Sequence, residues 1–235
     1  MARDGRKLMA RVTRNSALGA LPRQQPGARA VCVCLPSHRR GAALTLVARD
    51  AQRLAALPVP GARYTADLRS PGACAEAVRR ATTEMGGLDV LINAVGIVAF
   101  GAVSQTPAEA MEELLRTNTL VAMMLAGYGF PVIRPGGAIV NISGVIAKRN
   151  LPGIAAYGAS KTALRAFDEA LAREGRRVDV RVIDARPPHT ETGLGARAIA
   201  GTAPRLGAGI PPIRVARAVC DALEQGSEDL PSSAF

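Results

Sequence analysis

From residue 42 onward, short apolar runs alternate along the chain with stretches of helical periodicity. Runs that are apolar throughout are typical of strands covered on both faces, as in a parallel sheet. Their alternation with helices predicts a doubly wound, Rossmann-type α/β sheet in a single domain. The predicted strands are residues 42–48, 62–68, 89–95, 138–143 and 178–184.

Periodicity and capping residues mark the helices between these strands. Asp50 is placed to cap a short helix that reaches residue 57, and an apolar stripe from Cys74 to Met85 marks the next helix. Thr106 and Glu109 form a capping box that opens a long helix to about residue 126. Two further helices are predicted at residues 156–173 and 214–223.

Residues 1–40 do not follow this pattern, although a sheet of this type needs its central strand there. Residues 30–35 are the most strand-like, but only six residues separate them from the strand at 42, and a parallel crossover needs at least about ten. Residues 7–13 leave enough room but put Arg11 into a strand buried on both faces. Both placements stay open. We therefore interpret residues 1–40 as an irregular basic segment with an abnormal first βα unit, and residues 41–235 as the Rossmann-type domain.

Charge and composition argue against several classes of function. The net charge of +11 is concentrated in residues 1–40, with nine Lys and Arg and one acid, whereas the rest of the chain has 21 bases and 18 acids. Because no aromatic residue accompanies the basic segment, a nucleic-acid-binding surface is not expected. Two histidines and four cysteines without a C-x-x-C pair argue against a metal site. No apolar stretch is long enough to span a membrane, and we expect a cytoplasmic protein.

The motif with the clearest chemistry is Tyr157-Gly158-Ala159-Ser160-Lys161. Side chains four residues apart on a helix lie on the same face, so Lys161 is placed beside Tyr157. A nearby ammonium stabilises a phenolate and lowers the pKa of a tyrosine from its usual value of about 10. Such a tyrosine can give a proton to a carbonyl oxygen or take one from an alcohol. The motif therefore predicts an acid/base pair for carbonyl and alcohol chemistry.

This motif resembles the Y-x-A-S-K signature of the short-chain dehydrogenase/reductase family, and other segments follow in the family's order. They are Asp67-Leu68, Leu91 to Gly96, Asn118, Asn141 to Gly144, and Pro187 to Thr192. The resemblance covers about residues 42–195. It implies a nicotinamide cofactor, a small carbonyl or alcohol substrate, and a homodimer or homotetramer.

The resemblance also implies roles for individual residues. Tyr157 would be the acid/base, Lys161 would tune it and hold the nicotinamide ribose, and Asn118 would hold a relay water. Ser143 would bind the substrate oxygen. A gap-free count from Tyr157 places the family's serine at Gly144, so Ser143 has this role only if the strand end bulges or the loop differs by one residue. The implied cofactor contacts are Asp67, Leu68, Asn93, Ala94, Gly96, Pro187 and Thr192, besides Tyr157 and Lys161.

The end of the second predicted strand bears on the choice of cofactor. NAD-preferring sites place a carboxylate there for the ribose 2′-hydroxyl, whereas a 2′-phosphate requires a cation. Ala48 supplies no carboxylate, and Arg49 supplies a planar guanidinium. The sequence therefore predicts NADP(H) in preference to NAD(H), with Arg49 as a cofactor contact.

Two segments depart from the family pattern. Pro188 stands where the family's turn has glycine, which removes a main-chain N–H beside the nicotinamide contacts. The nearest match to the glycine-rich phosphate loop, residues 12–19, keeps one glycine of three and has Arg14 at the first. We interpret residues 14–40 as translated in a shifted reading frame or decayed. The main prediction is an NADP-dependent oxidoreductase. The alternative is a protein that retains the fold, has impaired or lost cofactor binding, and acts through protein contacts.

Overall fold

The computed structural model describes residues 16–20, 37–39 and 41–235. In this part of the chain, seven strands form one parallel sheet. They are β1 (Ser16–Ala20), β2 (Ala43–Ala48), β3 (Ala62–Thr65), β4 (Leu88–Asn93), β5 (Ile133–Ile142), β6 (Arg181–Ala185) and β7 (Asp229–Leu230). The sheet order is β3-β2-β1-β4-β5-β6-β7. The order reverses between β1 and β4, so the predicted doubly wound Rossmann-type fold is confirmed, with its crevice at the carboxyl ends of these strands.

Helices cover both faces of the sheet. They are α1 (Ala51–Ala55), α2 (Pro71–Glu84), α3 (Ala108–Leu115), α4 (Val121–Gly129), α5 (Ala155–Gly175) and α6 (Pro212–Gln225). Because side chains alternate along a strand, Leu91 and Ile139 pack with α2, α4 and α5, while Ile92 and Val140 pack with α1 and α6. This two-sided burial explains why the central strands are apolar throughout.

The centre of the sheet is β1, where Leu18 lies opposite Thr45 of β2 and Leu91 of β4. Both predicted positions for this strand, residues 7–13 and 30–35, lie outside the described residues. The strand is instead formed by residues assigned above to the end of the glycine-loop match. It ends at Ala20, which leaves more than the ten or so residues that a parallel crossover to β2 requires.

The long helix predicted from Thr106 to residue 126 differs from the prediction in two ways. It begins at Ala108, and the Thr106 hydroxyl donates to the Ala102 carbonyl oxygen (3.0 Å), so it forms no capping box. A single π turn, Arg116–Leu120, then separates α3 from α4. Such turns insert an extra residue into a helix and are frequent at functional sites.

Candidate active site

Tyr157 and Lys161 lie one turn apart on α5, beside the carboxyl ends of β4 and β5. Lys161 is 1% exposed, and its Nζ donates to the Ile142 carbonyl oxygen at 2.8 Å. A Cβ added at Gly96, just beyond β4, would lie 3.5 Å from this Nζ. Tyr157 is partly buried against the apolar side chains around Ile97. The structure thus places Lys161 beside Gly96 and one helical turn from Tyr157, and the roles assigned to these residues stay predictions.

Asn118 fixes the position of this part of α5. The π turn buries its side chain completely, and its Nδ2 donates to the Ile97 carbonyl oxygen (3.0 Å) and to Ser160 Oγ (2.9 Å). Its Oδ1 accepts from the Ile97 N–H at 2.8 Å. The Ser160 hydroxyl in turn donates to the Tyr157 carbonyl oxygen at 2.7 Å. Asn118 therefore connects the loop after β4 to the turn of α5 that carries the tyrosine, and its role toward a relay water stays a prediction.

Ser143 is not presented to the cleft. Its side chain is 1% exposed, and its hydroxyl donates to the Asp184 carboxylate on the neighbouring strand. The strand end does not bulge, because β5 and β6 stay in register up to Ile142 and the Ser143 N–H donates to the Ala185 carbonyl oxygen at 2.9 Å. The structure therefore does not support the expected contact between Ser143 and a substrate oxygen, because the hydroxyl faces Asp184. The next residue, Gly144, has a φ of 117°.

Asp184 belongs to a buried ion pair that the sequence analysis missed. Arg186 donates to Asp184 Oδ2 and to Asp229 Oδ2, both at 2.6 Å. The side chains of Arg186 and Asp184 are only 5% and 8% exposed. The available signal was the presence of two opposite charges, two residues apart, at the end of a predicted buried strand. This network holds Ser143 on the β6 side.

At the end of the site where adenine is predicted to bind, the carboxylate of Asp67 is already paired with an arginine of the protein. Arg69 Nε donates to Asp67 at 3.0 Å, and Arg69 also binds Glu113 of α3 at 2.9 Å. Arg69 lowers the pKa of the Asp67 carboxyl, and the charge of Arg49 acts in the same direction. Leu68 is buried in the core beneath α2. Asp67 and Arg49 are thus close enough to influence one another. The Asp67 carboxylate, however, is already bound by the guanidinium of Arg69.

At the other end, the segment after β6 presents an unpaired hydroxyl. Thr192 is 8% exposed, and its Oγ1 has no hydrogen-bond partner among the described residues. The Pro187 carbonyl oxygen accepts from the Val145 N–H at 3.0 Å, which joins this segment to the end of β5. An unsatisfied buried hydroxyl calls for a ligand or water. Thr192 therefore fits the predicted contact with a nicotinamide group.

The turn after β4 is shaped by Asn93, whose Oδ1 accepts from the Val95 N–H at 3.1 Å. Asn93 and Ala94 are both buried. A Cβ added at Gly96 would lie 3.4 Å from Asn118 Oδ1 and 3.5 Å from Lys161 Nζ, so a side chain at this position would contact both polar groups. The residues present at this end of the crevice thus fit a nicotinamide riboside.

The loop between Thr190 and Ile210 is fixed at its two ends and at its middle. Thr190 and Ile210 form a parallel bridge, and the Gly209 N–H donates to the Glu191 carboxylate at 2.7 Å. At the middle of the loop, the Ile199 N–H donates to the Val98 carbonyl oxygen at 2.8 Å. The same part of the loop packs against the apolar cluster that includes the tyrosine. The loop is therefore packed against the residues around Tyr157.

Two classes of site find no support in the part of the chain that the structure describes. Here no group of three or more His, Cys, Asp or Glu side chains is placed to hold a metal ion. Within the same residues, no helix is both long enough and apolar enough to cross a bilayer.

The profile of the short chain dehydrogenase family matches residues 29–202. The chain belongs to the short-chain dehydrogenase family. The matched stretch contains every predicted site residue and begins after the imperfect glycine-loop match at residues 12–19. The loss of that loop therefore stays a prediction.

Curated relatives resemble this member of the family over part of their length. The chain is 32% identical over 215 residues to dehydrogenase/reductase SDR family member 7B of Bos taurus, covering 82% of this chain and 66% of that protein. It is 28% identical over 150 residues to hydroxynaphthalene reductase of Aspergillus fumigatus, covering 60% and 55%. The chain spans 54% of the length of the Rattus norvegicus family member 7B and 66% of the Mus musculus protein.

Solved structures agree in fold. A dehydrogenase/reductase from Sinorhizobium meliloti superimposes with a TM-score of 0.81 at 22% identity, covering 97% of this chain and 99% of that one. A short chain dehydrogenase from Burkholderia cenocepacia, in complex with NADP, gives a TM-score of 0.79 at 22% identity, covering 95% and 99%. At this level of identity the likeness is one of fold.

Proposed function

We propose that this chain is an NADP(H)-dependent oxidoreductase that interconverts a small carbonyl compound and the corresponding alcohol. The observation that carries the proposal is the position of Lys161. A buried ammonium is costly unless it is hydrogen-bonded, and this one is held at the Ile142 carbonyl oxygen, one helical turn from Tyr157 and beside Gly96.

In the proposed mechanism, Tyr157 gives its phenolic proton to the substrate oxygen in reduction and takes a proton from the hydroxyl in oxidation. The Lys161 ammonium stabilises the phenolate that remains after proton donation. Asn118 and Ser160 hold the first turns of α5 in place, so that the phenol does not have to be reoriented in each cycle. When bound, the nicotinamide supplies or accepts hydride at the substrate carbon.

The cofactor contacts follow from the same geometry. Lys161 would hold the nicotinamide ribose, Thr192 would offer its unpaired hydroxyl to the nicotinamide, and Gly96 would leave room for both. We propose NADP(H) rather than NAD(H) because Ala48 and Arg49 put a guanidinium, and no carboxylate, at the end of β2. The Burkholderia cenocepacia protein, which shares this fold, is in complex with NADP.

We also propose that the protein forms a homodimer or homotetramer. An exposed set of apolar side chains on and between α3 and α4 supports this. The set comprises Leu115, Leu120, Met123 and Tyr128. An apolar patch on a soluble protein marks a contact surface more often than an accidental exposure. Light scattering on the purified protein measures the assembly directly, and a monomer at high concentration would contradict the proposal.

One observation favours the alternative function, a protein that keeps the fold and acts through protein contacts. The Ser143 hydroxyl is hydrogen-bonded to Asp184, and Gly144 stands at the position expected for the family's serine. A substrate oxygen would then receive its proton from Tyr157 without a second hydroxyl to position it. The two proposals differ in whether nucleotide binds at all.

Cofactor titration separates them. NADPH is titrated into the protein while its fluorescence is followed, with NADH as the comparison. Saturable binding of both nucleotides, tighter for NADPH than for NADH, supports the oxidoreductase. An unchanged signal at millimolar NADPH supports the alternative, a protein that has lost cofactor binding. A panel of aldehydes and ketones is then screened with Tyr157→Phe and with the control Tyr64→Phe, which removes a tyrosine hydroxyl on β3 outside the proposed site. Turnover lost only in Tyr157→Phe supports the assigned proton donor, and equal turnover in both variants contradicts it.

A further inference from the structure

A second titratable side chain lies on the same stripe of α5 as the proposed acid/base pair. Asp168 follows Lys161 by seven residues and Tyr157 by eleven, so all three point to nearly the same side of the helix. Asp168 is 3% exposed, and its Oδ1 accepts a hydrogen bond from Asn141 Nδ2 at 2.6 Å. Asn141 directly precedes Ile142, whose carbonyl holds the lysine. The Asp168–Asn141 pair thus joins α5 to β5 next to the Lys161 contact.

Two oxygens of this pair are unsatisfied. Asp168 Oδ2 and Asn141 Oδ1 are buried, and neither has a hydrogen-bond partner among the described residues. Leaving two buried acceptors unpaired is costly. A proton on Asp168 Oδ2 turns that oxygen into a donor, and Asn141 Oδ1 is the free acceptor on its partner side chain. An acid and an amide paired in this way make two hydrogen bonds, so a single proton satisfies both oxygens.

The charged surroundings do not supply a dedicated cation for this carboxyl. The charged side chains around Asp168 and its adjoining cleft are Lys161, Arg165, Glu169 and Arg173 on α5, Arg176 just after it, Arg181 and Asp184 on β6, Arg186 just after that strand, Asp229 on β7, and Lys148, Asp179 and Glu228 in loops. Arg186 is bound to Asp184 and Asp229. Burial raises the pKa of the Asp168 carboxyl well above its usual range, and the charge of Asp184 adds to this effect, while Asn141 and Lys161 oppose it.

A route for the proton is also present. Asp168 lines a cleft of about 430 Å³ between α5 and the β6–β7 edge of the sheet. The exposed end of the cleft includes Asp229, whose side chain is 57% exposed. Asp168 can therefore exchange its proton with solvent near the carboxyl-terminal end of α5, away from Tyr157.

We propose that Asp168 is a positioning residue, a neutral carboxylic acid that donates a hydrogen bond to Asn141. Because it carries no charge, the Lys161 ammonium stabilises only the Tyr157 phenolate. This inference rests on the proposed function of Tyr157 and Lys161. The pair also holds β5 against α5 where the Ile142 carbonyl receives the lysine. Loss of the proton at alkaline pH puts a negative charge on the stripe, which disfavours the Tyr157 phenolate and slows the acid/base step.

The protonation state is tested without any assay of activity. The infrared spectrum of wild type labelled with ¹³C-aspartate is compared with that of Asp168→Asn at neutral pH. A carbonyl band of a protonated carboxylic acid, present in wild type and absent from Asp168→Asn, is expected. The exposed residue Asp179 lines the same cleft, so Asp179→Asn is the matched control and should keep the band. Absence of the band from wild type at neutral pH overturns the proposal, even if the variant does not fold.

The link to Lys161 is tested by pH profiles of turnover. Because an amide imitates the neutral acid, Asp168→Asn should keep kcat within about threefold of wild type near neutral pH. In carbonyl reduction, ionisation of Tyr157 gives one alkaline loss of kcat in every variant. Asp168→Asn should lack the second, Asp168-dependent alkaline loss that wild type and Asp179→Asn share. The same alkaline loss in Asp168→Asn as in wild type overturns the positioning role. If no substrate is turned over by wild type, the proposed function fails, while the infrared measurement still decides whether Asp168 is a neutral acid.

Discussion

The two walls of the cleft follow the family pattern to different degrees. On the α5 wall, the turn that carries Tyr157 is linked to Asn118 through Ser160, and Lys161 donates to the Ile142 carbonyl oxygen. On the strand wall, Ser143 is turned toward Asp184. A helix stripe tolerates small changes, because neighbouring turns support each side chain. At a strand end, a shift of one residue sends a side chain to the opposite face. Proton transfer and the positioning of the substrate oxygen are therefore separable properties of this fold.

The largest effect is expected at Lys161. Replacing it in Lys161→Met removes the charge beside the phenol, and we expect turnover to fall about 10³-fold, within the range for loss of acid/base assistance. The measurement is kcat with the best substrate of the screen. Lys148→Met, which removes an exposed lysine, is the control. Similar kcat values for the two variants would show that the α5 wall does not carry the chemistry.

On the strand wall, the largest effect is expected at Arg186. Arg186→Met leaves the mostly buried Asp184 without its cation, which costs about 3 kcal/mol of unfolding free energy. Urea unfolding followed by circular dichroism measures this cost. Arg176→Met removes an exposed arginine and should change little. A loss as small as that of the control would mean that the network does not hold the end of β6.

An intermediate effect is expected at Asn118. In Asn118→Ala, the main-chain groups of Ile97 lose both partners, and we expect a loss of about 2 kcal/mol in unfolding free energy. The drop in melting temperature should be accompanied by lower turnover, because the loop and α5 lose their connection. A variant as stable as wild type would show that the π turn does not depend on this side chain.

The smallest effect is expected at Ser143, and it tests the comparison most directly. Ser143→Ala removes a buried hydrogen bond to Asp184, for a loss of about 1 kcal/mol. Turnover should stay within about threefold of wild type, because the hydroxyl does not reach the substrate. A fall of 10²-fold or more, as expected for a group that assists in the transition state, would place Ser143 back in the site.

The parts of the fold that could be predicted are those governed by local pattern. Central strands such as β4 and the stripe on α5 were predicted because burial on both faces or on one face determines which residues they contain. β1 was misplaced, because residues 16–20 lie in a segment without a clear pattern and only tertiary pairing with β2 and β4 defines the strand. The π turn was not predicted, since it depends on the bonds of Asn118 across the fold.

The candidate site divides in the same way. Tyr157, Lys161 and Gly96 were brought together because a helical spacing and a strand end set their positions. The direction of Ser143 could not be read from the sequence, because it depends on whether β5 bulges. The partnership of Asp168 with Asn141 is equally invisible in the sequence, since it links residues 27 positions apart.

The loop between Thr190 and Ile210 has a consequence for how substrate range changes. Its ends are clamped together, and its middle is anchored at Val98. The two intervening stretches, residues 193–198 and 202–208, can therefore be exchanged without moving β6 or α6. New binding preferences can arise in these two stretches while α5 stays unchanged.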